Sequence, residues 1–239
     1  MSASLAQYAP ASALTAREIA LKKLFARLTG GGATTPAAKS TNDAPTPTDS
    51  GFFSTQFQER ADETPPLATW AVRGAQVGAQ PLDRKVAEPI FAQLWGADRY
   101  VAALSPEELL RMSQYLHFVT VPANQEVIGQ DEQGDYMLIV LEGTLAVDRV
   151  QPWGGRARLA EARTGDMLGE MSLLDAGARF SACTTLTPCM LAVVEAQRLD
   201  EMIMFEPRLG LALLASLSRR LSLRLRQVSA RLSALLSSN

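Results

Sequence analysis

Within Leu168-Gly169-Glu170-Met171-Ser172-Leu173-Leu174 and the following Arg179-Phe180-Ser181-Ala182, an arginine returns nine positions after a glutamate. A carboxylate accepts a hydrogen bond from a sugar hydroxyl, and a guanidinium forks onto a phosphate. Glycine beside them lets backbone N–H groups approach an anion closely. A small ligand carrying a phosphate next to a sugar hydroxyl needs that set of groups. Catalytic chemistry finds less support. The single histidine, His117, ends an apolar helical stretch and reads as a structural residue. No Ser-His-Asp set, His-x-x-x-His pair or Gly-x-x-x-x-Gly-Lys loop is present. Glu170 has no nucleophile beside it, so its task reads as recognition, and the chain as a binding module, not an enzyme.

Strands and a short helical turn must position these groups. The apolar period becomes strand-like after His117, with expected strands at 118–122, 125–128, 136–141, 144–150, 158–162, 167–168, 181–185 and 189–194. Turn signals at Gly134-Asp135 and Glu142-Gly143 separate them. Short strands without alternating helices predict a mainly β chain, an antiparallel β-roll or barrel with flanking helices. Ahead of the roll, Ile90, Phe91, Leu94 and Trp95 mark one helix. Leu104-Ser105-Pro106-Glu107-Glu108 then gives a serine N-cap, proline at the first helical position and acids in the first turn of another.

The two ends of the chain differ in character. Residues 30–80 are rich in Gly, Ala, Pro, Thr and Ser without apolar periodicity, and predict disorder. Before them, a capping box at Thr15-Ala16-Arg17-Glu18 opens a short amphipathic helix near 15–29. Its basic residues suit a partner protein or an anionic membrane surface. From Ala196 the pattern is helical to the end. Leu211, Ser218, Leu225 and Leu232 fall at one heptad position, and Leu214, Leu221, Val228 and Leu235 at the other. That seam predicts a parallel two-helix coiled coil and a homodimer.

Composition is that of a globular protein, 47% hydrophobic and 20% charged, with a net charge of −2. No uncharged apolar run reaches the ~18 residues of a membrane span. Cys183 and Cys189 read as small buried hydrophobes, which with no leader visible at Met1–Ala13 predicts a cytoplasmic protein.

In this order, the elements and the Gly-Glu…Arg cluster resemble the cyclic nucleotide-binding domain over residues 94–232. The bacterial members with Gly-Glu-Met-Ser-Leu and a later Arg-Phe are similar at the cassette itself. Leu104-Ser105-Pro106-Glu107-Glu108-Leu109, Gly134-Asp135 and Leu141-Glu142-Gly143 also fit the family. The resemblance implies a jelly-roll domain at 87–207 after an arm at 1–86, with a lid and dimerisation helix at 208–236. It implies that Glu170 accepts from the ribose 2′-hydroxyl and that Arg179 pairs with the cyclic phosphate. Gly169 and Ser181 would offer backbone N–H groups, while Leu168, Met171, Ser172 and Leu173 form the pocket or its floor. Leu221 and Leu223 are lid contacts, Leu223 being preferred because the seam claims Leu221. The implied ligand is cAMP, with cGMP or another cyclic nucleotide as the alternative.

Three positions depart from the family pattern. Phe180 follows the arginine where a hydroxyl would favour guanine, which points to adenine. Arg224 and Leu225 stand where the bacterial catabolite activator has a threonine-serine pair, removing the side chains that read adenine across a dimer. Ala178 replaces a proline and loosens the loop. The expected mechanism is ligand-gated repacking of the C-terminal helix, signalling to a partner protein. Nucleic acid is not expected: the terminal helix carries six arginines, Arg208 to Arg231, without a base-reading module. A catabolite-activator-type transcription regulator and a scaffold with a degenerate pocket are the alternatives.

Overall fold

The computed structural model describes residues 51–59, 67–97 and 104–237. In chain order these form α1 (Phe52–Glu59), α2 (Trp70–Gln76), β1 (Gln80–Pro81), α3 (Arg84–Ala97), α4 (Pro106–Ser113), β2 (His117–Val121), β3 (Glu126–Ile128), β4 (Tyr136–Glu142), β5 (Leu145–Val150), β6 (Arg156–Ala162), β7 (Met167–Leu168), α5 (Glu170–Asp175), β8 (Ala182–Thr185), β9 (Cys189–Glu195), α6 (Ala196–Phe205) and α7 (Pro207–Ser237). One sheet runs β1-β2-β9-β4-β7 and the other β3-β8-β5-β6, with antiparallel pairing throughout.

The period-2 rule explains how one strand serves two cores. Along β4, Tyr136, Leu138 and Val140 point between the sheets, and Met137, Ile139 and Leu141 point to the helices. Leu191 and Val193 of β9 join the inner set, while Ala192 and Val194 join the outer one. The inner cluster also draws on Val127, Ile128, Leu145, Leu168 and Cys183, so both sheets contribute to it. The outer cluster gathers Phe91, Trp95, Leu109, Met112, Leu199, Leu209, Leu213 and Leu217 from the helices. An antiparallel roll with flanking helices and a long C-terminal helix is thus the fold, as the strand pattern predicts.

Helix α4 begins as its sequence dictates. The Ser105 side chain accepts from the Glu108 N–H at 3.2 Å, and the Glu108 carboxylate accepts from the Ser105 N–H at 2.7 Å. His117 corrects the sequence reading, since it opens strand β2 and pairs with Glu195 at 3.1 Å.

The expectation of disorder from residue 30 to 80 is corrected for the described part of that stretch, which holds α1 and α2. The physical cause is tertiary. Phe53 and Phe57 are buried in the outer cluster, and the Asp200 carboxylate accepts from the N–H groups of Phe52, Phe53 and Ser54 at 2.7–3.1 Å. A carboxylate from 146–148 residues away therefore caps a helix whose local sequence gives no N-cap signal. The amphipathic helix expected near 15–29 lies outside the described residues.

Helix α7 changes character along its length. Leu209, Gly210, Ala212, Leu213, Ser216 and Leu217 are buried, and no described residue after Leu217 is. Of the heptad seam, Leu211, Leu225, Val228, Leu232 and Leu235 are exposed. No described helix is long and apolar enough to cross a membrane.

Candidate functional site

The cassette is the link between β7 and β8. Gly169 adopts φ +79°, a left-handed conformation in which a side chain would be strained, and so turns the chain from β7 into α5. Helix α5 is only Glu170–Asp175 and ends at Ala176, also left-handed. The loop returns through Gly177 and Ala178 to Arg179, just ahead of β8.

Arg179 is 2% exposed, an unusual position for a guanidinium. Its Nη1 donates to the Gly169 carbonyl at 2.7 Å and its Nη2 to the Tyr136 carbonyl at 2.5 Å. The guanidinium carbon lies 4.8 Å from the centre of the Tyr136 ring, a cation–π contact. Two glycines make room for it: a Cβ on Gly134 would stand 2.6 Å from Nη2, and one on Gly169 would stand 2.6 Å from Nη1. No carboxylate of the described residues forms an ion pair with it, and its buried Nε has no partner. Burial pushes the guanidinium's pKa down, while Tyr136, Glu132, Cys183 and Asp135 counter that shift. The result is a buried cation held by carbonyl oxygens with an N–H still to satisfy, an arrangement that favours an anion.

Glu170 is 5% exposed, and its Oε1 accepts from Arg224 of α7 at 2.5 Å. The terminal helix is therefore pinned to the cassette across 54 residues of sequence. Arg224 enters the sequence reading as a lost hydroxyl and as one of six arginines of the terminal helix expected to pair with acids elsewhere. Which acid it meets goes unseen there, because no local spacing connects Arg224 to Glu170.

The other expected site residues divide into three groups. Leu168 is buried between the sheets, and Leu173 is buried in the outer cluster against the helices. Ser172 is buried on α5, and Met171 beside it is exposed. Phe180 is 56% exposed, with the Arg149 guanidinium 4.2 Å above its ring and hydrogen-bonded to its carbonyl. Ser181 is half-buried next to it, and Leu223 is half-buried on α7. Leu173 thus corrects one expectation: it belongs to the layer outside the sheet because α5 turns that face toward the helices.

Tyr136, Gly134 and Asp135 also belong to the cassette's surroundings. The sequence marks Gly134-Asp135 only as a turn, yet that turn leads directly into the Tyr136 carbonyl and ring. Burial, with Glu195 adding to it, pushes the Asp135 carboxyl up to about 6, and its Oδ1 has no partner. Two surface cavities lie elsewhere. One of about 470 Å³ is lined by Trp70, Gly74, Arg84, His117 and Phe118 among others. The other, about 190 Å³, lies by His117, Asp135, Glu195 and Arg198. Neither includes Glu170 or Arg179.

Parts of this chain are similar to known proteins. Residues 118–204 match the model of the cyclic nucleotide-binding domain. A CRP-like cAMP-activated global transcriptional regulator of Mycobacterium tuberculosis is 30% identical over 118 residues, 49% of this chain and 53% of that protein. The cAMP-activated global transcriptional regulator CRP of Haemophilus influenzae is 28% identical over 116 residues, 48% of this chain and 52% of its own. The chain thus spans about half the length of the curated relatives it matches. Among solved structures, a cyclic nucleotide-binding domain from Methylobacillus flagellatus KT superposes with a TM-score of 0.60 at 24% identity, covering 64% of this chain and 86% of that one. The catabolite activator protein of Thermus thermophilus gives 0.51 at 26% identity, covering 56% and 61%. Family match, sheet topology and the Gly-Glu…Arg cassette coincide on the same residues, so the segment 118–204 is similar to the cyclic nucleotide-binding domain.

Proposed function

We propose that this protein is a cyclic nucleotide sensor whose ligand is cAMP. The observation that carries the reading is the Arg179 guanidinium, buried in the cassette without an ion-pair partner among the described residues and with its Nε–H unsatisfied. A singly charged cyclic phosphate completes that donor set, and the low exposure of the site strengthens the attraction. The ribose 2′-hydroxyl donates to Glu170 Oε2, the oxygen that Arg224 leaves open. Gly169 and Ser181 supply backbone N–H groups. Phe180 carries no hydroxyl to favour guanine, which sets adenine ahead.

Arg224 makes the site a switch. Because Arg179 is almost sealed from solvent, the phosphate reaches it only as the cassette shifts. That shift moves Glu170 and, through Arg224, helix α7, so occupancy is read out in the helix. Leu223 closes over the base, and the loose end of the helix carries the signal to a second copy and to an effector protein. The size of the response is bounded by the ligand's preference for the closed state. Moving from ~1% to ~99% closed takes about 5.5 kcal/mol.

Titration calorimetry of the protein against cAMP, cGMP, a cyclic dinucleotide and 5′-AMP tests the reading. The expected result is saturable binding that prefers cAMP and fails with 5′-AMP, whose open phosphate carries more charge and a different reach. Absence of binding across the whole panel overturns it.

A further inference from the structure

Helix α2 lies outside the stretch that matches the family model, yet it is tied to the cassette arginine by two routes. The first is a stack of rings. The Trp70 indole meets the Tyr136 ring edge-on, with centroids 5.3 Å apart and planes at 66°. Tyr136 in turn lies under the Arg179 guanidinium at 4.8 Å and accepts from it through its backbone carbonyl. The Tyr136 hydroxyl donates to the Val127 carbonyl at 2.6 Å, which fixes the ring between its two neighbours. Trp70 is itself fixed: Thr69 caps its helix, and a Cβ at Gly74 would stand 3.3 Å from the indole.

The second route runs through the β3–β4 connection. Arg73 pairs with Glu132 and also donates to the Glu126 carbonyl at 3.3 Å. Glu132 accepts from the Gly129 N–H at 2.7 Å, so its side chain braces the connection from both sides. The Glu132 carbonyl then accepts from the Arg179 N–H at 2.8 Å, and the Asp131 N–H donates to the Arg179 carbonyl at 2.8 Å. The Ala68 N–H adds a third tie from this segment, to the Gln133 carbonyl at 2.8 Å. Side chain and backbone of the same arginine are therefore both braced by one short helix and the residues just ahead of it.

We infer that Trp70 and Arg73 are positioning residues for the ligand-binding arginine, so that a helix outside the recognised domain sets the affinity of its site. The effect on affinity rests on the cyclic nucleotide reading; the effect on Arg179 order does not. A guanidinium held by a ring and two carbonyls presents its open N–H in one direction, and loosening the ring spreads that direction over several rotamers.

The test has two readouts on the full chain. The first is the NMR order parameter of the Arg179 Nε–H bond in the ligand-free protein. The second is cAMP affinity by calorimetry. Trp70→Ala is expected to lower the order parameter and to weaken binding about tenfold. Trp70→Phe, which keeps a ring over Tyr136, restores both to near the wild-type values. Arg73→Gln removes the pairing with Glu132 and the contact with the Tyr136 side chain while keeping both rings, and serves if Trp70→Ala fails to fold. It is expected to lower the order parameter and weaken binding by about threefold. Unchanged Arg179 order in a folded Trp70→Ala or Arg73→Gln variant overturns the inference. Equal losses in Trp70→Phe and Trp70→Ala overturn it too, since the ring would not be what matters. If the wild type binds no cyclic nucleotide, the functional reading fails while the order parameter still decides the inference.

Discussion

Arg179 and Asp135 show how burial turns ordinary side chains into special ones. An arginine in a loop is unremarkable until two glycines and a tyrosine enclose it, and then each N–H must find an oxygen. The two carbonyls it uses are neutral, and no carboxylate among the described residues makes an ion pair with it. Asp135 is the counterpart, a carboxyl pushed up to about 6 by burial and by Glu195. Its folded state holds a proton that the unfolded chain has released between the usual carboxylate range and pH 6. The stability that proton supplies is present at low pH and is lost as pH rises through about 6. Asp135→Asn is therefore expected to raise the melting temperature at pH 8, with the gain shrinking toward pH 5. Thermal denaturation across that range checks it. An equal shift at every pH would show that Asp135 stays charged in the fold.

The elements were legible in proportion to how local their causes are. The strands of the roll follow from alternation, and α4 follows from Ser105 and Glu108 three residues apart. The cassette's Gly-Glu…Arg spacing was readable because its chemistry is compressed into one loop. What sequence could not give are the long-range partners. Asp200 caps α1, Trp70 meets Tyr136, and Arg224 reaches Glu170. Phe53 and Phe57 are spaced by one helical turn, but two apolar positions in a window of Ser, Thr and Gln are too short a stripe to read, and the docking surface completes that helix. The Arg224 pair has a consequence that can be measured. Arg224→Ala leaves a carboxylate that is 5% exposed without its cation, an expected cost of about 1–3 kcal/mol. The same variant should speed hydrogen exchange in residues 218–228 of α7, because the tie to the cassette is gone. Exchange unchanged from wild type would mean that the helix is held by its apolar contacts alone.

At the scale of the molecule, the helices cover the outer face of the β1-β2-β9-β4-β7 sheet, and α7 is only half-used in doing so. Its first half fills the outer core, and beyond Leu217 none of its described residues is buried. Leu225 is 67% exposed and Leu235 71%, on a face that continues the heptad seam read from the sequence. The proposed sensor would seat a second copy with the same stripe there, which the heptad spacing suits. Leu225→Glu combined with Leu232→Glu is expected to convert a dimer to a monomer in sedimentation velocity, leaving the melting of the roll nearly unchanged. A monomeric wild type would remove the seam's role, and with it the route by which one cassette addresses another.

The central claim concerns one guanidinium and one ring-closed phosphate, and it is tested most directly by comparing the dissociation constants of cAMP for the wild-type protein and for Arg179→Ala. Loss of a charge-assisted hydrogen bond worth about 1.5–3 kcal/mol predicts at least a tenfold weaker complex in a variant that still folds. Equal affinity in the two proteins would contradict the account, because the ligand would then be held somewhere other than the cassette.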